Sequence, residues 1–216
     1  MSRAPTYAST LSRVEDYFDR SATKVWEQLT SDAPVSKVRA TVRAGREEMR
    51  ATMIDALGDV RGKRILDAGC GTGAATEVLA IMGAEVVAVD ISPSLIDIAR
   101  DRLPEQFAGQ VTFEAGDMLA DRGAFDAVIA MDSLIYYRRP DLLQALEILS
   151  DRADQVVFTV APRSPALMAF WYAGKLFPRS DRSPVMVPQD VASLPARHLK
   201  TVRSGFYTSA CMEVRS

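Results

Sequence analysis

A glycine-rich loop between two acidic residues is the part of this sequence best suited to chemistry. The stretch RILDAGCGTGAATEVLAIMGAEVVAVD spans residues 64–90 and has three glycines within positions 69–73. Because glycine lacks a Cβ, the backbone of such a loop can lie close to a ligand at a helix N-terminus. The spacing of Gly69, Gly71 and Ala74 fits both a dinucleotide pyrophosphate and the methionyl end of S-adenosylmethionine (SAM).

Asp67 favours SAM, because a carboxylate two residues before the first glycine would repel a doubly charged pyrophosphate. SAM instead carries an ammonium group, which a strand-end carboxylate can bind. The alternative is that Asp67 only bonds locally to the glycine turn. Asp90 follows Gly71 by 19 positions, where a carboxylate can accept hydrogen bonds from ribose hydroxyls. Both ligands contain ribose, so Asp90 indicates a nucleoside without naming it.

Further candidate cofactor contacts follow the later strands. In AGDM, Asp117 is placed to meet the adenine amino group and Met118 the ring face, although Asp117 is equally compatible with an ordinary turn. Ile91 and Met131 are the remaining candidates. The set LDAGCGTG, VD and GDM resembles the Rossmann-like SAM-dependent methyltransferases, so we expect SAM as co-substrate.

The elements that position these residues alternate along the chain. Apolar runs predict strands at RILDAG, EVVAVD, VTFEAG, FDAVIAMD and QVVFTVAP, with helical stretches between most of them. This alternation predicts a parallel sheet covered by helices on both faces, and the tail adds two short strands. We therefore expect a seven-stranded, mostly parallel α/β domain over 61–216, an N-terminal helical lid over 1–60, and an acceptor-covering segment over 162–188.

Two helical segments precede the sheet, at SRVEDYFDRSATKVWEQLT and VSKVRATVRAGREEMRATMIDALG, the second starting at a Ser36 cap and stopping at Gly58. Four arginines fall on one face of the second helix: Arg39, Arg43, Arg46 and Arg50. Most of them fit a solvated stripe partly paired with Glu47 and Glu48. One arginine, for which Arg43 is the candidate, would bind an acceptor carboxylate through two parallel bonds.

The segment 166–177 is rich in aromatic side chains and is followed by basic residues. It suits either a core helix or the binding of a large flat acceptor with acidic side arms. Trp171 within it and Arg163 before it are the candidate acceptor contacts.

The composition of the chain disfavours several other classes of protein. The 216 residues are 48% hydrophobic, with 26 basic and 28 acidic side chains and a net charge of −2, so the overall charge does not favour binding to nucleic acid. Two distant cysteines make no disulfide framework, and the N-terminus has no apolar signal core. We expect a cytoplasmic protein with at most peripheral contact to a membrane, and no protein-bound metal.

A closer resemblance covers nearly the whole chain. Besides the motifs above, VEDYFDRSATKVWEQL, VSKVRATVRAGREEMR, VDISPSLIDIARDRLP, MDSLIYY, FTVAPRSPALMAFWYAGKLFPRSDRSPVMVP and GFYTSACMEV are similar to the magnesium-protoporphyrin IX O-methyltransferases of (bacterio)chlorophyll biosynthesis, in their purple-bacterial form. The resemblance implies methyl transfer from SAM to a propionate of magnesium protoporphyrin IX, giving the 13-monomethyl ester. It also suggests handover from the magnesium chelatase large subunit. The apolar segment 166–177 separately leaves open a loose association with the photosynthetic membrane.

A propionate is ionised at pH 7 and needs no general base. Catalysis then consists of alignment and exclusion of water. Tyr17 and Tyr136 are our candidates for positioning the reacting end, each with a packing or adenosine-pocket role as the alternative. Plant and cyanobacterial relatives usually have histidine at the position of Tyr136, so an imidazole role does not carry over. We expect His198 to be an exposed tail residue and not a ligand of the porphyrin magnesium.

Three other functions stay open: a SAM-dependent methyltransferase for another small acceptor, a non-catalytic SAM-binding or porphyrin-carrier protein, and a NAD-dependent dehydrogenase. The acceptor-side resemblance disfavours the first, the intact glycine loop with its two acids the second, and Asp67 the third.

Overall fold

A computed structural model describes residues 5–17, 37–163 and 186–215 of the chain. Trp171, the Ser36 cap, the aromatic segment 166–177 and most of the acceptor-covering segment 162–188 lie outside the described residues, so the expectations placed on them stay predictions.

Seven strands form one sheet in the order β3-β2-β1-β4-β5-β7-β6. The first five strands pair in parallel, and β7 runs antiparallel to both β5 and β6. This confirms the predicted sheet and the two tail strands. The strands are β1 (Arg64–Ala68), β2 (Glu85–Asp90), β3 (Val111–Ala115), β4 (Phe125–Ala130), β5 (Ala153–Val160), β6 (Arg197–Ser204) and β7 (Tyr207–Arg215).

Helices cover both faces of the sheet because successive strand residues point to opposite sides. Leu66 packs in one apolar cluster with Leu142 and Tyr7, whereas its neighbour Ile65 packs in another with Met53 and Leu79. The described α-helices are α1 (Pro5–Tyr17), α2 (Lys37–Leu57), α3 (Ala74–Ile81), α4 (Pro93–Arg102) and α5 (Arg139–Ser150). Short 3₁₀ turns occur at Glu105–Gln110, Leu134–Tyr136 and Val191–Ser193.

The first helix begins at Pro5, earlier than the segment predicted to start at Ser12. Proline is well suited to a first helical position because its missing N–H has no partner there anyway. Tyr7, Leu11 and Val14 then follow at helical spacing and pack against the rest of the protein. These few apolar residues lie in an otherwise polar stretch, so their pattern is weak in the sequence.

The second helix ends where the sequence predicts, at Leu57 before a left-handed Gly58 with φ of 70°. Its C-terminal half is buried in the core through Met49 and Met53. Its N-terminal half is held by the β6–β7 hairpin, where a Cβ on Gly205 would lie 2.1 Å from the Thr41 hydroxyl oxygen. The Ser204 hydroxyl also donates to the Thr41 carbonyl at 2.8 Å. The hairpin therefore fixes the position of α2.

No helix within the described ranges is long and apolar enough to cross a membrane.

Candidate active site

A cavity opens at the carboxyl edge of the sheet, where ligands bind in open parallel sheets. The ends of β1, β2 and β4 contribute Asp67, Asp90 and Asp132 to its wall. Two helices close over this edge, with Leu11 and Val14 of α1 and the arginine face of α2 lining the same space. The topology thus brings the glycine loop and the arginine face together around one cavity.

The glycine loop leaves β1 through left-handed backbone. Gly69 and Gly71 have φ of 83° and 56°, values that L side chains rarely adopt. A Cβ on Gly69 would lie 2.4 Å from the Cβ of Ser133, whose hydroxyl donates to the Ala68 carbonyl at 2.7 Å. By contrast, a Cβ on Gly71 would meet no atom within 4 Å. At Gly71, where the loop lines the cavity, the missing side chain therefore leaves space for a ligand to approach the backbone.

Asp90 closes the loop onto β2. Its Oδ2 accepts from the Gly71 N–H at 2.8 Å, and its Oδ1 accepts from the Ser92 N–H at 3.0 Å. Two backbone donors, one to each carboxylate oxygen, fix the plane of the carboxylate. A carboxylate oxygen can accept more than one hydrogen bond, so this arrangement fits the ribose role expected of Asp90.

Asp67 is 1% exposed and lines the cavity. Its Oδ2 accepts from the Thr76 hydroxyl of α3 at 2.6 Å, so a local bond and a ligand-facing position coexist in this residue. Burial raises the pKa of Asp67 to about 7, an effect that the nearby Asp90 charge reinforces and the Thr76 bonds oppose. A bound cation would favour the ionised form.

Ile91, Met118 and Met131 line the cavity beside these acids. Asp117 lies between two lining residues, Gly116 and Met118, and its Oδ1 accepts from the Tyr7 hydroxyl at 2.7 Å and the Leu119 N–H at 2.8 Å. Its predicted contact with adenine therefore stays a prediction.

The two candidate tyrosines pack against one apolar cluster formed by Val14 and Leu95. Tyr136 also lines the cavity, whereas Tyr17 packs beside it. Burial, and then the charge of Asp132, raise the pKa of Tyr136 above its ordinary value. Tyr136 is therefore a neutral phenol at physiological pH, able to donate a hydrogen bond.

Three of the four arginines on α2 are more buried than a solvated stripe would be, whereas Arg39 is exposed. Arg43, Arg46 and Arg50 all line the cavity, and Arg46 forms an ion pair with Asp132. Arg50 pairs with Glu47 as predicted. The expected pairing of Glu48 with this face is wrong, because Glu48 bonds Lys200 of β6 at 2.7 Å on the neighbouring hairpin.

Sequence reasoning overlooked Asp132, a third carboxylate of the cavity wall. It accepts from Tyr207 and Thr159 as well as Arg46. The available signal was its place directly after an apolar strand, the same place that singled out Asp67 and Asp90.

The candidate Arg163 and the histidine that we expected to be exposed, His198, lie elsewhere. Arg163 borders a second, shallower pocket with Arg139 and Asp190, so its contact with an acceptor stays a prediction. His198 is exposed and lies 2.9 Å from the Thr201 hydroxyl through its Nε2, which confirms the expected exposure. Among the residues that the structure describes, no cluster of three or more histidine, cysteine or acidic side chains could hold a metal ion.

Comparison with known proteins gives results that agree with the sequence motifs and the fold. A family model described as "Magnesium-protoporphyrin IX methyltransferase C-terminus" matches residues 130–216, and one described as "Methyltransferase domain" matches residues 65–152. The magnesium-protoporphyrin O-methyltransferase of Rhodobacter capsulatus is 55% identical over 97% of this chain and 98% of its own.

Two crystal structures of magnesium protoporphyrin IX methyltransferase from Synechocystis PCC 6803 are also similar. The complex with S-adenosylhomocysteine (SAH) has a TM-score of 0.82 at 28% identity, covering 95% of this chain and 99% of that one. The SAM complex has a TM-score of 0.79 at 25% identity, covering 96% and 97%.

The raised pKa of Asp67 predicts pH-dependent binding of SAH. Below pH 7 the carboxyl is mostly protonated and cannot pair with the ligand's ammonium, so affinity should rise about tenfold from pH 6 to pH 8 and then level off. Calorimetric titration at several pH values measures this. Asp67→Asn should bind SAH weakly with a flat profile; a slope that persists in Asp67→Asn would assign the titration to another group.

Proposed function

Because this chain belongs to the magnesium-protoporphyrin O-methyltransferase family, we propose that it transfers a methyl group from SAM to a propionate carboxylate of magnesium protoporphyrin IX. The products are the 13-monomethyl ester and SAH. The observation that carries the proposal is the 55% identity, which extends over 97% of the chain and so includes the acceptor side as well as the SAM motifs.

The geometry of the cavity supports SAM as the methyl donor. In this proposal Asp90, held by two backbone N–H groups, accepts from the ribose hydroxyls, and the open space above Gly71 allows close approach to the backbone. Asp67 would pair with the ammonium group, and Met118 and Met131 would contribute apolar surface to the cavity wall. When bound, the donor would supply a methyl group on a positively charged sulfur. The acceptor oxygen attacks the methyl carbon as the carbon–sulfur bond breaks, and the sulfur keeps the bonding electrons.

The residues around the reacting end need only position and shield it. The acceptor carboxylate is already ionised at pH 7, so no proton has to be removed. Tyr136 suits this role because it is half-buried, neutral and able to donate, and Tyr17 packs against the same apolar cluster. Opposite charges combine in the transition state, so a cavity that excludes water favours the reaction.

We assign the arginines to the parts of the acceptor that do not react. Arg43 lines the cavity and can hold a second propionate through paired hydrogen bonds. Arg163 and Trp171 are proposed to contact the acceptor from the segment after β5. Handover from the magnesium chelatase large subunit is proposed from the family resemblance alone. Loose contact of a cytoplasmic protein with the photosynthetic membrane is proposed from the apolar sequence of segment 166–177.

The proposal predicts transfer of label from methyl-labelled SAM to magnesium protoporphyrin IX, recovered as a monomethyl ester by chromatography. Metal-free protoporphyrin IX is the matched control acceptor. Comparing its methylation with that of magnesium protoporphyrin IX shows whether the protein recognises the metal. Binding of SAM with no transfer to either porphyrin would instead support a carrier function. Transfer only to small acceptors offered in parallel would identify a different methyltransferase.

Tyr136→Phe and Tyr17→Phe should each lower kcat about tenfold, the loss expected for one hydrogen bond made at the reacting end. SAM affinity should stay within about twofold, because neither hydroxyl holds the cofactor in this proposal. Steady-state kinetics with both substrates, together with SAH titration, separate the two effects. An unchanged kcat in both variants would remove the phenols from the mechanism, and weaker SAH binding by Tyr136→Phe would place its hydroxyl in the adenosine pocket.

A further inference from the structure

Asp132 holds a backbone conformation that is uncommon for a residue with a side chain. It follows β4 with φ of 54°, the one left-handed non-glycine residue within the described ranges. Aspartate and asparagine tolerate this region better than other side chains, although at a cost. Its N–H donates to the Thr159 hydroxyl oxygen at 2.7 Å, which anchors the strained turn to the buried strand β5.

The side chain of Asp132 is a junction between three elements. Arg46 of α2 pairs with Oδ2, the Thr159 hydroxyl donates to Oδ1 at 3.2 Å, and the Tyr207 hydroxyl of β7 lies 3.2 Å from Oδ1 and 3.4 Å from Oδ2. The Arg46 and Asp132 side chains are only 20% and 8% exposed. Little water therefore screens their interaction.

The position of Arg46 relative to Asp132 depends on how α2 packs against β7. A Cβ on Gly45 would lie 2.6 Å from the Cδ1 of Tyr207, so the bare helix surface at Gly45 admits that ring. Tyr207 thereby contacts α2 and Asp132 together. This packing fixes Arg46 over the carboxylate.

The pair lies where the two halves of the cavity meet. Arg46 and Asp132 both line the cavity, and Ser133 next to Asp132 packs directly on Gly69 of the glycine loop. After burial, the charge of Asp132 is the next cause that raises the pKa values of Tyr136 and Tyr207. The pair is thus close to the tyrosine that we place at the reacting end.

An uncompensated guanidinium at this place would harm the reaction. It would hold the acceptor carboxylate as a strong ion pair in the ground state. The carboxylate loses its charge as the ester forms, so much of that attraction would be absent in the transition state. Tighter binding of this kind lowers both Kd and the rate of the chemical step.

We propose that Asp132 is a positioning residue that holds Arg46 against the cavity wall and cancels its charge, so that the acceptor carboxylate reaches the methyl group without being trapped in an ion pair. The inference rests on the proposed carboxylate methylation. Asp132 acts through Arg46, and its role is to tune the electrostatic potential of the cavity.

Asp132→Asn tests this directly, because asparagine also tolerates left-handed backbone and keeps the size of the side chain. The dissociation constant of magnesium protoporphyrin IX is measured by fluorescence on SAH-loaded protein, and the chemical step by single-turnover methyl transfer. We expect both the Kd and the single-turnover rate to fall about tenfold. The control variant Glu48→Gln removes a carboxylate from α2, the helix that carries Arg46, at a position that does not line the cavity. It should change neither quantity by more than about twofold.

A double variant separates charge cancellation from simple support of the fold. Arg46→Gln alone leaves the Asp132 carboxylate in the cavity and should weaken acceptor binding about tenfold. Adding Asp132→Asn restores neutrality, so the double variant should return to within about threefold of the wild-type Kd and rate. Had Arg46 gripped the acceptor itself, the double variant would bind as weakly as Arg46→Gln. This comparison does not depend on the single Asp132 variant being well folded.

Weaker acceptor binding by Asp132→Asn, or a double variant no better than Arg46→Gln, would overturn the inference and leave the proposed function intact. A wild-type protein that methylates no porphyrin would overturn both.

Discussion

The cavity depends first on one hydrogen bond, from the Gly71 N–H to Asp90 at 2.8 Å. The loop has left-handed backbone at Gly69 and Gly71, and the Val89 carbonyl of β2 also accepts from the Gly69 and Cys70 N–H groups at 2.7 and 3.0 Å. The Gly71 bond ties the next part of the loop to the last residue of β2. The same bond fixes the plane of the Asp90 carboxylate. These contacts between the loop and β2 shape the loop surface, and the Gly71 bond orients the acid that we propose for the ribose. Side chains at these glycines would oppose both effects.

Helix α2 forms the other side of the cavity wall. Its C-terminal half is fixed in the core, and the β6–β7 hairpin holds its N-terminal half against the sheet edge. Arginines can therefore be placed in the cavity wall with carboxylate partners, Asp132 for Arg46 and Glu47 for Arg50. Carboxyl methylation needs positive side chains that attract an anionic acceptor, but these side chains must not hold the reacting carboxylate in a strong ion pair. Pairing the arginines with carboxylates of the protein meets both needs. The antiparallel strand β7 belongs to this arrangement because it supplies Tyr207.

Much of the fold and of the cofactor half of the site follows from the sequence, because these features are local. The apolar runs of the strands, the glycine spacing and the acids at the ends of β1 and β2 are each patterns of residues that lie close together in the sequence. The Arg46–Asp132 pair joins residues 86 positions apart, and no local pattern specifies it. The partner of Glu48 was missed for the same reason, since Lys200 reaches it only once the hairpin packs on α2. The early start of α1 rests on Tyr7 and Leu11, whose burial needs partners from the far side of the fold.

In the proposed complex, the cofactor, the acceptor and the positioning residue Tyr136 share one cavity at the carboxyl edge of the sheet. A crystal structure of the protein with SAH and magnesium protoporphyrin IX tests this most directly. We predict SAH above Gly71 with its ribose on Asp90, and the porphyrin under α2 with one propionate oxygen pointing at the sulfur beside Tyr136. A porphyrin bound outside this cavity, or one whose propionates both face solvent, would contradict the account.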